Sequence, residues 1–309
     1  MNVPAEPLSV FLVPDDAPAS AEAMGTKKKF WFSRAGEMWL YKATRPGSGE
    51  HWAEVLAAAV AEILGLPHAE YELARWRDKT GVESAGVVTR RFTRDGFDLV
   101  HGNELLAERD PNYPAAGARY VRTQEHTIDA VRTAVATDVG LPLNWMAPEG
   151  ITTPADVFGG YLLLDAWIGN TDRHHENWAL VVNLAEGHRF LAPTFDHASS
   201  LGAHHEDATR ARRLESNDPA FRVEGYVEKA RSALYSKAGE AQPMTPLEAF
   251  RAWCEHASCD PWLQRLDAVE DGQVAELIGH LPESEISGPA RAFAQAILQR
   301  NKWRILRSR

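Results

Sequence analysis

Residues 162–182, LLLDAWIGNTDRHHENWALVV, constrain the fold of this chain more than any other stretch. An apolar run at helical spacing stops at Gly169, and Asn170, Asp172, Arg173, His174, His175, Glu176 and Asn177 follow before apolar residues resume. Side chains this polar do not sit beside a core unless hydrogen bonds or opposite charges compensate them. Two readings follow. The run is a helix-terminating loop whose Asn170 and Asp172 cap backbone amides, or it is the charged floor of a cleft.

The flanking segments favour the second reading. TTPADVFGGYLLLDAWIG carries a Thr153 cap, Pro154 in the first turn and Gly169 at its end, which predicts one helix. NWALVV and HRFLA are short strands separated by the turn-forming NLAEG. A hairpin brings the residue after its second strand back towards the residue before its first, so Asp196, in PTFDHASS, returns near Asn177. A carboxylate, an amide oxygen and a second carboxylate then converge. That is a hard-oxygen site suited to Mg²⁺ held by Asn177 and Asp196 together with substrate phosphates. Asp172, at the same mouth, is placed to orient a hydroxyl or take its proton. This is the layout of phosphoryl transfer, where catalysis is mostly positioning and charge neutralisation.

The first hundred residues supply the rest of such a site. KKFWFS and EMWLYKA, joined by Arg34, Ala35 and Gly36, read as a β-hairpin, and alternation puts Lys42 on one face with Met38 and Leu40. HWAEVLAAAVAEILGLP reads as an amphipathic helix ended by Gly65 and Pro67. VESAGVVTRRF is a further strand. Lys42 is the candidate cation for nucleotide phosphates, and Glu54, on the helix, is its candidate partner. Residues 1–26, rich in Pro and Ala, form a lead-in with one strand in LSVFLV. The remainder of the chain is mainly helical, including a helix that starts at Ser287.

Composition excludes several classes. A net charge of −10 argues against a nucleic-acid-coating role, which needs a basic surface. No run approaches the roughly 18 apolar residues of a membrane helix, and the N-terminus lacks the pattern of a signal peptide, so a cytoplasmic location is expected. Cys254 and Cys259 are too few for a disulfide framework and read as two buried thiols on a helix. With His256 they make three ligands without the fourth that a structural zinc site requires. No histidine pair has the spacing of a zinc hydrolase motif.

GNTDRHHENW together with LAPTFDHASSLG resembles the catalytic loop and metal-binding segment of HipA-like kinases, a branch of the protein-kinase-like fold. The Asp-Arg-His…Asn pattern is shared with phosphatidylinositol kinases. The resemblance runs from about Gly25 onward and implies a two-lobed α+β architecture: a lead-in over 1–26, an N-lobe over 27–92 and a helical C-lobe over 93–309. It implies ATP and Mg²⁺ as cofactors, Asp172 as catalytic base, Asn177 and Asp196 as metal ligands, Lys42 as the phosphate lysine and Glu54 as its partner. GTKKKFWF, with Gly25, Thr26 and Lys27, takes the place of the phosphate-contacting loop. Backbone around Val88, Thr89 and Arg90 meets adenine, and His174 braces the catalytic loop. The implied reaction is transfer to a Ser or Thr hydroxyl of a protein.

The chain departs from the family in two ways. It is too short for the additional N-terminal HipA subdomain, so the toxin role does not carry over and an antitoxin-like regulator stays an open partner. Its glycine-rich loop holds Gly25 almost alone before three lysines, which serve either as a solvated strand edge or to attract phosphate. The segment 197–222, with Arg210, Arg212 and Arg213, reads as a mobile loop beside the metal site. A lipid or small-molecule phosphotransferase and a non-catalytic nucleotide-binding module are the rival functions.

Overall fold

A computed structural model describes residues 8–17, 20–21, 28–114 and 122–307. Its elements run β1 (Phe11–Val13), β2 (Ser20–Ala21), β3 (Lys29–Arg34), β4 (Glu37–Ala43), α1 (Glu50–Leu64), β5 (Tyr71–Arg77), β6 (Glu83–Arg90) and β7 (Phe97–His101). Then follow α2 (Gly102–Arg109), α3 (Ile128–Ala136), β8 (Val139–Gly140), α4 (Pro154–Ile168), β9 (Ala179–Asn183) and β10 (Arg189–Leu191). The chain closes with α5 (Asp207–Glu215), α6 (Val223–Lys229), α7 (Pro246–Cys254), α8 (Asp260–Asp267), α9 (Asp271–Gly279) and α10 (Gly288–Arg307).

The β3–β4 hairpin turns on Ala35 and Gly36, both at positive φ, the combination whose twist matches that of the flanking strands. It sits in a six-stranded sheet ordered β1-β5-β6-β4-β3-β2. The lead-in contributes to this sheet: β1 pairs in parallel with β5 and β2 pairs with β3. Register decides what each face carries, because directly paired residues project to the same side. Trp31, Leu40, Thr89 and Tyr71 form one cross-strand row, and Lys29, Lys42, Val87 and Leu73 form the next on the same face. The opposite face carries Phe30, Tyr41, Phe32, Trp39 and Val88, closed over by Trp76 and Val13 into a separate aromatic core.

Helix α1 packs between the first face and the helical part. Burial reaches nearly every side of it, so the amphipathic pattern read from sequence understates its role. Trp52, Leu56, Val60 and Leu64 each contribute about 1.5–3 kcal/mol of burial there. Helix α4 is buried almost all round, as a central helix must be. Its Thr153 capping box, first-turn proline and left-handed Gly169 terminus match the sequence reading. The large rings around it satisfy their polar atoms on helix ends: Trp253 and Trp262 donate to the Ala155 and Asp156 carbonyls at 2.8 and 2.7 Å.

Two expectations fail here. Cys254 and Cys259 form a disulfide, because Cys254 ends α7, Cys259 precedes α8, and the intervening turn brings their Cα atoms to 5.5 Å. The segment 197–222 holds α5 rather than one long loop. Arg210 is buried, donating to the Gly202 and Ala203 carbonyls and pairing with Asp207, and Arg213 stacks on Phe221. Among the described residues no helix is long and apolar enough to cross a membrane.

Candidate active site

Gly169 enters the left-handed region at φ 66°, and this sharp stop turns the chain from α4 into the polar run. The loop is then held from inside. Arg173, 1% exposed, donates from Nε and Nη2 to the two carboxylate oxygens of Asp165 at 2.7 and 2.9 Å. Its Nη1 donates to the Asn177 carbonyl at 2.6 Å, and its Nη2 also reaches Thr194 Oγ1 at 3.0 Å. Asp165 further accepts from Asn170 Nδ2 at 2.8 Å, while Asn170 Oδ1 accepts from the Asp172 N–H. This fully paired cluster fixes the backbone on both sides of Asp172, whose own carboxylate remains partly exposed.

Asn177 donates from Nδ2 to the Asp172 carbonyl at 2.7 Å, which orients its amide and leaves Oδ1 as the free-standing acceptor end. His174 Nδ1 accepts from the Glu176 N–H at 3.1 Å, so its proton sits on Nε2, 3.9 Å from Asp172 Oδ2. Burial lowers the His174 pKa against the pull of Asp172, Asp196 and Glu176, so the ring faces the Asp172 carboxylate as a neutral imidazole. The antiparallel β9–β10 pair returns Asp196 to this mouth, as the hairpin reading requires. Asp196 adopts φ 62°, uncommon for a non-glycine residue. Its N–H donates to the Tyr71 hydroxyl at 3.2 Å, and Oδ2 pairs with Lys42 Nζ at 3.1 Å.

Of the α1 carboxylates Glu50, Glu54 and Glu62, Glu54 is the one that meets the segment following β10. It is 1% exposed, whereas Glu62 lies at the surface beside His68. Glu54 Oε1 accepts from the His197 N–H at 2.7 Å. His197 Nε2 faces the donor-only Arg173 guanidinium at 3.2 Å and Thr194 Oγ1 at 2.8 Å, so the ring proton sits on Nδ1, turned to Glu54 at 3.7 Å. Burial, then Glu54 and Asp196, push the Tyr71 phenol well above its ordinary pKa, so it stays protonated. One continuous network thus joins α4, the loop 170–177, α1 and the sheet.

Of the three residues expected around adenine, Thr89 alone projects to the cleft face; its buried Oγ1 has no hydrogen-bond partner among the described residues. Val88 packs into the outer aromatic core and Arg90 pairs with Glu37 at 2.9 Å, so any contact they make to a base is through backbone. Gly25, Thr26 and Lys27 lie outside the described residues. Three residues of the site escaped sequence reasoning: Asp165, Tyr71 and Arg122. Asp165 had a signal, being a lone carboxylate inside an apolar run, which demands a nearby cation. Arg122 donates to the Thr171 carbonyl at 2.8 Å and to Asp172 Oδ1 at 3.3 Å across a long sequence separation that no local pattern reveals.

The profile of the HipA-like C-terminal domain matches residues 21–258. The chain belongs to the HipA-like C-terminal domain family. Searching curated proteins finds no match. Among solved structures, the Helicobacter pylori proinflammatory kinase CtkA superimposes with a TM-score of 0.70 at 18% identity, covering 97% of this chain and 96% of that one. HipA of Shewanella oneidensis, solved with HipB and operator DNA, gives 0.55 at 11% identity, covering 96% of this chain and 69% of that one. The fold is therefore α+β and kinase-like, with a mixed-sheet N-lobe and a mainly helical remainder that holds the four-stranded sheet β7-β9-β10-β8, and a kinase-type function accompanies this family.

Proposed function

We propose that this chain is an ATP- and Mg²⁺-dependent kinase that transfers the γ-phosphoryl group to a serine or threonine hydroxyl of a protein. The observation that carries the reading is the pairing of Asp172 with Asn177 and of Lys42 with Asp196, both aspartates standing close enough to His174 to act on its charge, with Asp172 fixed by a buried network and its carboxylate left accessible. Among the described residues no three His, Cys, Asp or Glu side chains cluster as a metal cage. Asn177 and Asp196 suit a hard cation that takes its remaining ligands from phosphate and water, and Mg²⁺ would supply charge neutralisation there.

On this reading Asp172 accepts a hydrogen bond from the acceptor hydroxyl and takes its proton as the oxygen attacks phosphorus. The bond to the β,γ-bridging oxygen breaks and ADP leaves. Lys42 braces the departing phosphates, and Glu54 holds the His197 backbone so that Asp196 keeps its left-handed turn. Thr89 and the backbone of Val88 and Arg90 receive adenine. The kinase named in the H. pylori structure supports the reaction type, and the HipA–HipB assembly motivates an antitoxin-like protein as a partner. The cytoplasm is the proposed location.

Asp172→Asn tests the assignment. It abolishes transfer to protein acceptors while ATP binding stays within about threefold; full activity in this variant would sink the proposal. Labelling confined to lipids or metabolites in an acceptor screen would replace the protein acceptor.

A further inference from the structure

Phosphoryl transfer spreads negative charge over the migrating group, and a site of this kind needs a cation on the acceptor side as well as on the nucleotide side. Lys42 is committed to Asp196 on the metal side. The arginine next to the base in sequence, Arg173, is turned inward and locked to Asp165, so it cannot meet substrate. His174 Nε2 stands 3.9 Å from Asp172 Oδ2, beyond hydrogen-bond reach. Arg122 is the cation that the described structure brings to the Asp172 carboxylate.

We propose that Arg122 is a catalytic residue that stabilises the transferring phosphoryl group, a role that rests on the kinase reading above. Its side chain is about half exposed at the cleft. Nη2 anchors it to the Thr171 carbonyl and Asp172 Oδ1, whereas Nε and Nη1 meet no acceptor among the described residues. An acceptor hydroxyl bonded to Asp172 stands about 2.7 Å from the carboxylate, and phosphorus a further ~3.3 Å beyond it. The phosphorus therefore lies at most about 6 Å from the carboxylate, and the oxygens it carries come within reach of a guanidinium that already touches that carboxylate. The anchor on Thr171 keeps the fork beside the loop when Asp172 turns to the hydroxyl. In the step itself the acceptor O–P bond forms, the bond to ADP breaks, and the proton passes to Asp172. Arg122 donates hydrogen bonds to an equatorial phosphoryl oxygen and exchanges no proton.

The test compares wild type, Arg122→Ala and Arg122→Lys in radiolabelled ATP transfer, with ATP affinity and thermal stability measured on the same preparations. The expected result is a kcat about 10²–10³-fold lower in Arg122→Ala. ATP affinity stays within about threefold, Arg122→Lys falls between, and added methylguanidinium restores at least tenfold to Arg122→Ala alone. A rate within about threefold of wild type, a faster rate, or a loss carried by ATP affinity and unmoved by methylguanidinium would overturn the role. Silence of the wild type with every acceptor is instead failure of the kinase reading, and takes this proposal with it.

Discussion

The buried pair Asp165–Arg173 gives the sharpest energetic forecast. In Asp165→Asn the side chain keeps its shape, but one amide oxygen must replace two carboxylate oxygens that now accept from Arg173 Nε, Arg173 Nη2 and Asn170 Nδ2. The new amide NH₂ faces a donor. A lost charge-assisted hydrogen bond costs about 1.5–3 kcal/mol, and leaving the Arg173 charge without its counter-ion in a site 1% exposed raises the total to about 3–5 kcal/mol. Against a typical total of 5–15 kcal/mol this is a large fraction. With a urea dependence of about 3 kcal/mol/M, the midpoint followed by tryptophan fluorescence falls by about 1–1.7 M. Asp165→Leu combined with Arg173→Met recovers only part of the loss, because the Asn177 carbonyl and Thr194 then lose their donor. A midpoint shift below about 0.3 M in Asp165→Asn would refute the claim that this pair holds the catalytic loop.

Three further outcomes follow from the same contacts. Burial lowers His126 to a pKa of about 3 and His175 to about 4, so both are neutral when folded and take up protons on unfolding below about pH 6.5. Stability is therefore full above that pH and falls towards pH 4 with a slope approaching about 1.4 kcal/mol per pH unit for each ring; denaturant midpoints that stay flat from pH 7 to 4.5 would contradict this. Lys42→Met weakens Mg²⁺-ATP binding by about tenfold or more in calorimetry while leaving the fold intact, and unchanged affinity would remove Lys42 from the nucleotide site. Gly160→Ala places a methyl 2.5 Å from Leu66 Cδ2 and 2.8 Å from the Trp262 ring, so it destabilises by about 1–3 kcal/mol; a neutral thermal shift would show that α4 does not need this close approach.

Much of the frame was legible because local signals and tertiary demands agree there. The β3–β4 turn at Ala35 and Gly36, the caps of α4, the β9–β10 hairpin and the start of α10 all read directly from residue type. Strand β5 did not, since YELARWR interleaves charges that pair with Arg34 and Glu83 at the surface and with the buried Glu285. Helix α5 was hidden for a related reason: DATRARRLE lacks an apolar stripe and is anchored through a buried arginine on backbone carbonyls. Within the site, the order lysine, glutamate, Asp-Arg-His, Asn and Asp was readable. The support under it, His197 between Arg173 and Glu54, depends on distances that span the whole chain.

The most direct test of the central claim is transfer from radiolabelled ATP with Mg²⁺, comparing wild type with Asp196→Asn, alone and with a cytosolic extract. The account predicts label on the chain or on an extract protein that disappears in Asp196→Asn. Equal labelling by the variant, or Mg²⁺-dependent ATP binding by wild type with no protein labelled, would contradict it.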